Sequence, residues 1–232
     1  MVNKLIAVIP ARGGSKRIKG KNIIDFNGVP MISKTIEAAQ KTEIFDRIIV
    51  STDDSSIAAV AEKYGVKVPF LRSDKSDDFS SVSEATIHAV YQAEEFWGEE
   101  YTYVIQLMAN CPLRNESDIK CAWNNFIKND IEFQISCFKY GWMNPWWAMK
   151  LKEDGTPEPL YQEALKKRSQ DLEDLYCPTG AIWIARVDAL KKAGTFYGPN
   201  YKMFPIGMRS SIDIDDMGDL QLARAMDKID KF

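Results

Sequence analysis

The sequence predicts an α/β fold: a mostly parallel sheet with helices on both faces, Rossmann-like, carrying a small inserted arm. Three observations carry that reading. Short β-branched runs alternate with amphipathic stretches over roughly the first 130 residues, as βαβ units require. Helix start signals fall where the alternation needs them. Hydrophobic residues make up 45% of 232, enough for a substantial core.

In chain order, 4–9, 47–51, 66–71 and 101–107 read as strands, and 31–41, 55–64, 80–96 and 116–128 as helices. Pro30 stands where a first helical turn tolerates proline; Asp53 or Asp54 and Ser117 supply caps for later helices. Past Phe133 the pattern changes. Trp142, Trp146 and Trp147 cluster around Asn144-Pro145, and a polar turn follows over 152–159. Residues 139–178 read as an insertion in one domain spanning 1–232, and 179–186 as a return to the sheet. A strand-like 201–206, an Asp-rich 211–219 and a helix to about Ile229 close the chain. Tryptophans at this density suit an interface, although packing against the sheet explains them equally well.

Composition excludes several classes of function. A net charge of −3 lacks the basic excess that a non-specific nucleic-acid binder uses to displace counterions. The apolar run 5–11 is far short of the roughly 20 residues that cross a bilayer, and no cleavage site follows it, so the expected compartment is the cytoplasm. Four cysteines, 111, 121, 137 and 177, form no C-x-x-C pair and read as reduced thiols. The single histidine, His88, falls in a helical stretch, which leaves no polyhistidine metal site and only one position for a Ser-His-Asp triad. Chemistry by Lys, Arg, Asp and Glu remains, as in phosphoryl and nucleotidyl transfer.

The most informative segment follows the first strand. From Arg12 to Lys21, ten residues hold five cations and no acid, against about 1.3 cations expected from 30 in 232. Gly13, Gly14 and Ser15 let backbone N–H groups approach an anion closely, and the C-terminal end of a parallel strand is a favoured ligand crevice. A polyphosphate suits that place better than a merely solvated turn does. The segment is no Walker loop, since five residues separate Gly14 from Gly20 and Asn22 follows Lys21; no G-x-G-x-x-G occurs here either.

Near the other end, Asp213, Asp215, Asp216 and Asp219 lie within seven residues. In an extended chain Asp213 and Asp215 share a side, and two carboxylates can take Mg2+ while it keeps waters and phosphate oxygens. The other reading is a capping cluster for the last helix, which suits Asp216 and Asp219.

The run Ile6-Ala7-Val8-Ile9-Pro10-Ala11-Arg12-Gly13-Gly14-Ser15-Lys16, then Lys21-Asn22, resembles the opening signature of the acylneuraminate cytidylyltransferases, the CMP-sialic acid synthetases. The resemblance continues through Gly28-Val29-Pro30, Val50-Ser51-Thr52-Asp53, Pro112-Leu113-Arg114, Gly180-Ala181-Ile182 and Ser211-Ile212-Asp213-Ile214-Asp215. It implies an enzyme that couples CTP to an α-keto acid (nonulosonic) sugar with Mg2+, giving the CMP-sugar and pyrophosphate. It implies Arg12, Gly13, Ser15, Lys16, Lys21 and Asn22 at the triphosphate and cytidine, with Arg72 and Ser81 also at the nucleotide. Arg12, Lys16, Lys21, Asp213 and Asp215 form the implied catalytic set, and Asp213 with Asp215 the Mg2+ anchor. Ser51-Thr52-Asp53 reads equally as a strand end with a helix cap or as a nucleotide contact.

Matching family regions at 139–178 form an arm reaching a neighbouring subunit, which implies a homodimer with Arg168 and Gln170 at the sugar end. Arg168 suits a sugar carboxylate through two parallel hydrogen bonds. The middle of the chain departs from the sialic acid pattern: Ser169 stands for one of two adjacent arginines, Cys177-Pro178-Thr179 for Arg-Pro-Asn, and Met108-Ala109-Asn110-Cys111 for Gln-Pro-Thr-Ser. Several segments look more like relatives acting on pseudaminic or legionaminic acid. The alternatives are a nucleotidyltransferase of the same build with another sugar or phosphorylated acceptor, and a non-catalytic nucleotide-binding homologue.

Overall fold

The computed structural model describes residues 3–72 and 81–229. In chain order its regular elements are β1 (Leu5–Pro10), β2 (Asp25–Phe26), β3 (Val29–Pro30), α1 (Met31–Thr42), β4 (Arg47–Ser51) and α2 (Ser55–Lys63). Then come α3 (Val82–Trp97), β5 (Tyr103–Gln106), α4 (Glu116–Lys128), β6 (Phe133–Lys139), β7 (Met149–Leu151) and β8 (Pro157–Pro159). The chain ends with β9 (Tyr176–Arg186), α5 (Val187–Ala193), β10 (Lys202–Pro205) and α6 (Met217–Ile229).

Six strands form one sheet in the order β10-β6-β9-β5-β1-β4. β1 pairs parallel with β4 and β5, and β6 parallel with β10, while β9 runs antiparallel between β5 and β6. Both faces are covered. Leu5, Ala7 and Ile9 of β1 pack on one side with Ile32 and Ile36 of α1, Ile57 of α2 and Phe126 of α4. The alternate residues Ile6 and Val8 pack on the other with Ala89, Val90 and Ala93 of α3 and Leu190 of α5. Burial on two faces is why β1 is apolar at successive positions, and each large side chain so buried contributes about 1.5–3 kcal/mol.

Three sequence expectations change. Among the described residues the segment 66–71 makes only one isolated parallel bridge, Lys67 to Ile49, beyond the sheet edge at β4. Pro69 has no N–H to continue that ladder. β6 is a full strand where none was expected, and its polar Gln134 and Ser136 are buried with partners: Gln134 Nε2 donates to Ala122 O at 2.8 Å, and Ser136 Oγ donates to Thr179 O at 3.0 Å. The helix expected from residue 80 begins at Val82 behind the Ser81 cap, and residue 80 itself lies outside the described residues. Caps also resolve: Asp54 rather than Asp53 caps α2, and Asn115 rather than Ser117 caps α4.

Between β6 and β9 the insertion holds the antiparallel β7–β8 hairpin and short turns at Pro145–Trp147, Gln162–Lys166 and Ser169–Asp171. Because β6 runs in the same direction as β1, the insertion leaves the sheet at the same edge as the loop after β1. Three strand steps separate them, roughly 14 Å at ordinary spacing.

Candidate active site

At that edge the loop after β1 is tied down at both ends. Ala11 N–H donates to Ser51 O at 2.9 Å, Gly13 N–H to Asp53 Oδ1 at 2.8 Å, and Asn22 Nδ2 to Arg12 O at 2.9 Å. Gly13 lies so close to the turn after β4 that an added Cβ would sit 2.8 Å from Asp54 Cβ. Gly20, at φ +63°, turns the chain into the short helical turn that presents Lys21 and Asn22. Ile18 anchors the middle by packing with Phe26, Leu113, Ile214 and Leu220. The cations around it are left at the surface of a cleft of about 540 Å³.

Arg12, Lys16, Arg17 and Lys21 line this cleft with Ser15, Asn22, Arg72, Met108, Asn110, Asp213 and Asp215. The two ends of the chain therefore meet. Lys21 Nζ donates to Ile214 O at 2.8 Å and to Asp215 Oδ1 at 3.2 Å, and Arg17 pairs with Asp215 Oδ2 at 2.9 Å. Asp213 and Asp215 flank the buried Ile214 in irregular chain rather than a strand, and both residues line the cleft. Asp216 and Asp219 do cap α6: Asp216 Oδ1 accepts from Gly218 and Asp219, and Asp219 Oδ2 accepts from Asp215 and Asp216.

The two acids of the cleft titrate apart. Desolvation and then the neighbouring Asp215 push Asp213 up to about 6. Desolvation also raises Asp215, but the Lys21 hydrogen bond and the charges of Lys21 and Arg17 outweigh it and hold Asp215 below the usual carboxylate range. On the opposite wall Arg72, 9% exposed, faces Asp53 at 3.9 Å. Burial lowers its pKa against the opposing pull of Asp53, and its Nε and Nη2 make no hydrogen bond among the described residues. Buried cationic nitrogens of this kind, open to a cleft, suit an anion.

Asp213 and Asp215 also fit a hard divalent ion. Among the described residues no three His, Cys, Asp or Glu side chains converge as in an all-protein cage. Two carboxylates, one of them short of positive charge, match an ion that takes its remaining oxygens from water and phosphate.

A family model described as Cytidylyltransferase matches residues 6–191. The chain belongs to the cytidylyltransferase family. It is 37% identical to the pseudaminic acid cytidylyltransferase of Campylobacter jejuni over 97% of both chains. It is 32% identical to the CMP-N,N'-diacetyllegionaminic acid synthase of Legionella pneumophila over 91% of both. Among solved structures, CMP:2-keto-3-deoxy-manno-octonic acid synthetase complexed with CTP matches 97% of this chain with a TM-score of 0.72 at 17% identity, a likeness of fold.

In this cytidylyltransferase the expected nucleotide residues gather at one cleft, with two qualifications. Gly13 acts through its backbone on Asp53 rather than as a lining residue, and Ser81 spends its hydroxyl accepting from Glu84 N–H as the cap of α3. Arg168 and Gln170 do not line the cleft. Arg168 is 74% exposed and holds Asp171 through Nε at 2.8 Å and Nη2 at 3.3 Å, while Gln170 borders a separate depression beside Tyr140 and Asn144. Their place on the insertion, away from the loop after β1, accounts for this. Trp146 packs inside the insertion, its Nε1 donating to Glu173 O at 2.9 Å and its ring edge-on to Tyr161 at 4.9 Å, whereas Trp142 is 82% exposed. His88 is exposed on α3 and the four cysteines are free. Asn110 is a site residue that sequence reasoning did not assign, and Asp53 one that it left between a helix cap and a nucleotide contact; their polar type was visible, their partners 103 and 40 residues away were not.

Proposed function

We propose that this chain transfers CMP from CTP to a nonulosonic acid of the pseudaminic or legionaminic type, releasing pyrophosphate. The observation that carries the reading is one cleft in which Arg12, Lys16, Arg17 and Lys21 face the acids Asp213 and Asp215. The names of the two full-length relatives support the substrate class. Arg12, Lys16 and Lys21 neutralise the triphosphate, Ser15 and Asn22 hydrogen-bond it and the cytidine, and Arg72 offers guanidinium nitrogens that make no hydrogen bond among the described residues. Gly13 and Ser81 shape the walls. Lys21 exchanges its contact with Asp215 for a phosphate oxygen. A sugar hydroxyl then attacks the α-phosphorus in line, and the loop cations stabilise the departing pyrophosphate. Mg2+ held by Asp213 and Asp215 would neutralise charge on the transferring phosphoryl oxygens.

Sugar recognition completes the reading through a homodimer. One domain carries the arm at 139–178, whose exposed Trp142, Trp147, Met149 and Leu151 suit a partner surface and whose Arg168 and Gln170 meet the sugar in the partner's cleft. No helix of the described residues is long and apolar enough to cross a membrane, and a cytoplasmic site is where CTP is at hand. The test is pyrophosphate release from CTP, UTP, ATP and GTP against a panel of nonulosonic acids. CTP with pseudaminic or legionaminic acid should be preferred; turnover with another nucleotide, or without any nonulosonic acid, contradicts the proposal.

A further inference from the structure

Asn110 is 5% exposed and lies on the stretch after β5, at the floor of the cleft. Its Nδ2 donates to Asp213 Oδ1 and, at 3.2 Å, to Ile214 O, and its main-chain oxygen accepts from Ile214 N at 2.9 Å. Among the described residues this is the one hydrogen bond to the Asp213 carboxylate. Lys21, which also lines the cleft, spends its own bonds on Ile214 O and Asp215. The orientation of the amide is forced. Turning it over would set its oxygen against a carboxylate oxygen and a carbonyl oxygen, so Nδ2 must face the acid, and Oδ1 is left buried without a hydrogen-bond partner among the described residues. A buried acceptor left unpaired is costly, so the arrangement favours Asp213 at the expense of Asn110.

We infer that Asn110 is a positioning residue for Asp213: it grips one carboxylate oxygen and leaves the other for whatever the cleft binds. The inference rests on the reading of Asp213 as part of the reacting centre and deepens it by naming what aims that acid.

A double-mutant cycle between Asn110→Leu and Asp213→Ala tests it. Two readouts are used: affinity for Mn2+ alone, titrated by electron paramagnetic resonance, and kcat and KM for CTP in pyrophosphate release. In the wild-type background Asn110→Leu should weaken Mn2+ binding and lower kcat about tenfold each, with the KM for CTP within threefold. In the Asp213→Ala background the same change should alter neither by more than twofold. Equal losses in both backgrounds, or no loss in either, overturn the inference, because a residue that merely supports its loop acts regardless of Asp213. A wild type that binds Mn2+ but turns over no sugar refutes the proposed function, and the Mn2+ cycle alone then decides the positioning role. A wild type that turns over sugar without measurable Mn2+ binding leaves the decision to the kcat cycle, and one that does neither overturns both readings. Should Asn110→Leu fail to fold, Asn110→Ala takes its place in the cycle.

Discussion

Replacing Lys21 by Met removes the charge that joins the two ends of the site while keeping a long apolar stem in place. In the ligand-free protein the loss is modest. Lys21 is 16% exposed, but its partner Asp215 is 44% exposed and keeps Arg17 at 2.9 Å, so the broken pair is worth about 0.5–1 kcal/mol. For a chain of this size that lowers the melting temperature by about 1–4 °C. Against the triphosphate the same side chain supplies a charge-assisted bond worth about 1.5–3 kcal/mol, or roughly 10- to 150-fold in kcat/KM for CTP. Lys19→Met is the control, because Lys19 belongs to the same basic loop and does not line the cleft. Steady-state pyrophosphate release at varied CTP separates the two. A folded Lys21→Met within twofold of wild type, or an equal loss in Lys19→Met, would show that bulk charge and not this geometry matters.

Asp213 has a folded pKa of about 6 against an unfolded value near 3.9, so the stability it contributes is present below about pH 4 and lost as pH rises through about 6. Asp213→Asn should therefore melt above wild type at pH 7.5 in EDTA, by about 1 kcal/mol once solvent screening in the open cleft is allowed for, with the gap closing toward pH 4; calorimetry that finds no gap counts against the assigned burial. The same variant, and Asp215→Asn, should lose most activity and regain part of it at high Mg2+, whereas full activity in EDTA would remove the metal role. Gly13→Ala forces its methyl against Asp54 and should raise the KM for CTP several-fold, with Gly14→Ala, whose methyl meets no atom of the described residues within 4 Å, costing less. Arg168→Ala should raise the KM for the sugar far more than that for CTP, and polar residues at the exposed Trp142 and Trp147 should lower assembly state and activity together; light scattering that finds a fully active monomer would refute the shared arm.

What could be read from the chain was local. The loop from Arg12 to Asn22 declares itself by charge and glycine, and β1, α1, β4 and α2 by period, because the physics that shapes them acts within a few residues. Three features escaped for physical reasons. β6 hides its polar Gln134 and Ser136 through bonds to residues 12 and 43 positions away. The 66–71 run has strand composition but meets the sheet only at its edge, with a proline in the way. Asp53 looked like a cap or a nucleotide ligand and instead holds Gly13 and faces Arg72, a role that exists only once β1 and β4 are side by side. The acids at 213 and 215 were legible as a pair, but not their grip by Asn110, Lys21 and Arg17, which needs the closed fold.

The most direct test of the central claim is the identity of the phosphorus-containing products when purified protein, CTP, Mg2+ and pseudaminic or legionaminic acid are combined and followed by phosphorus NMR and mass spectrometry. Attack of the sugar hydroxyl on the α-phosphorus gives one CMP-sugar phosphodiester for each pyrophosphate. CDP with inorganic phosphate, or pyrophosphate with free CMP and no sugar adduct, would contradict it.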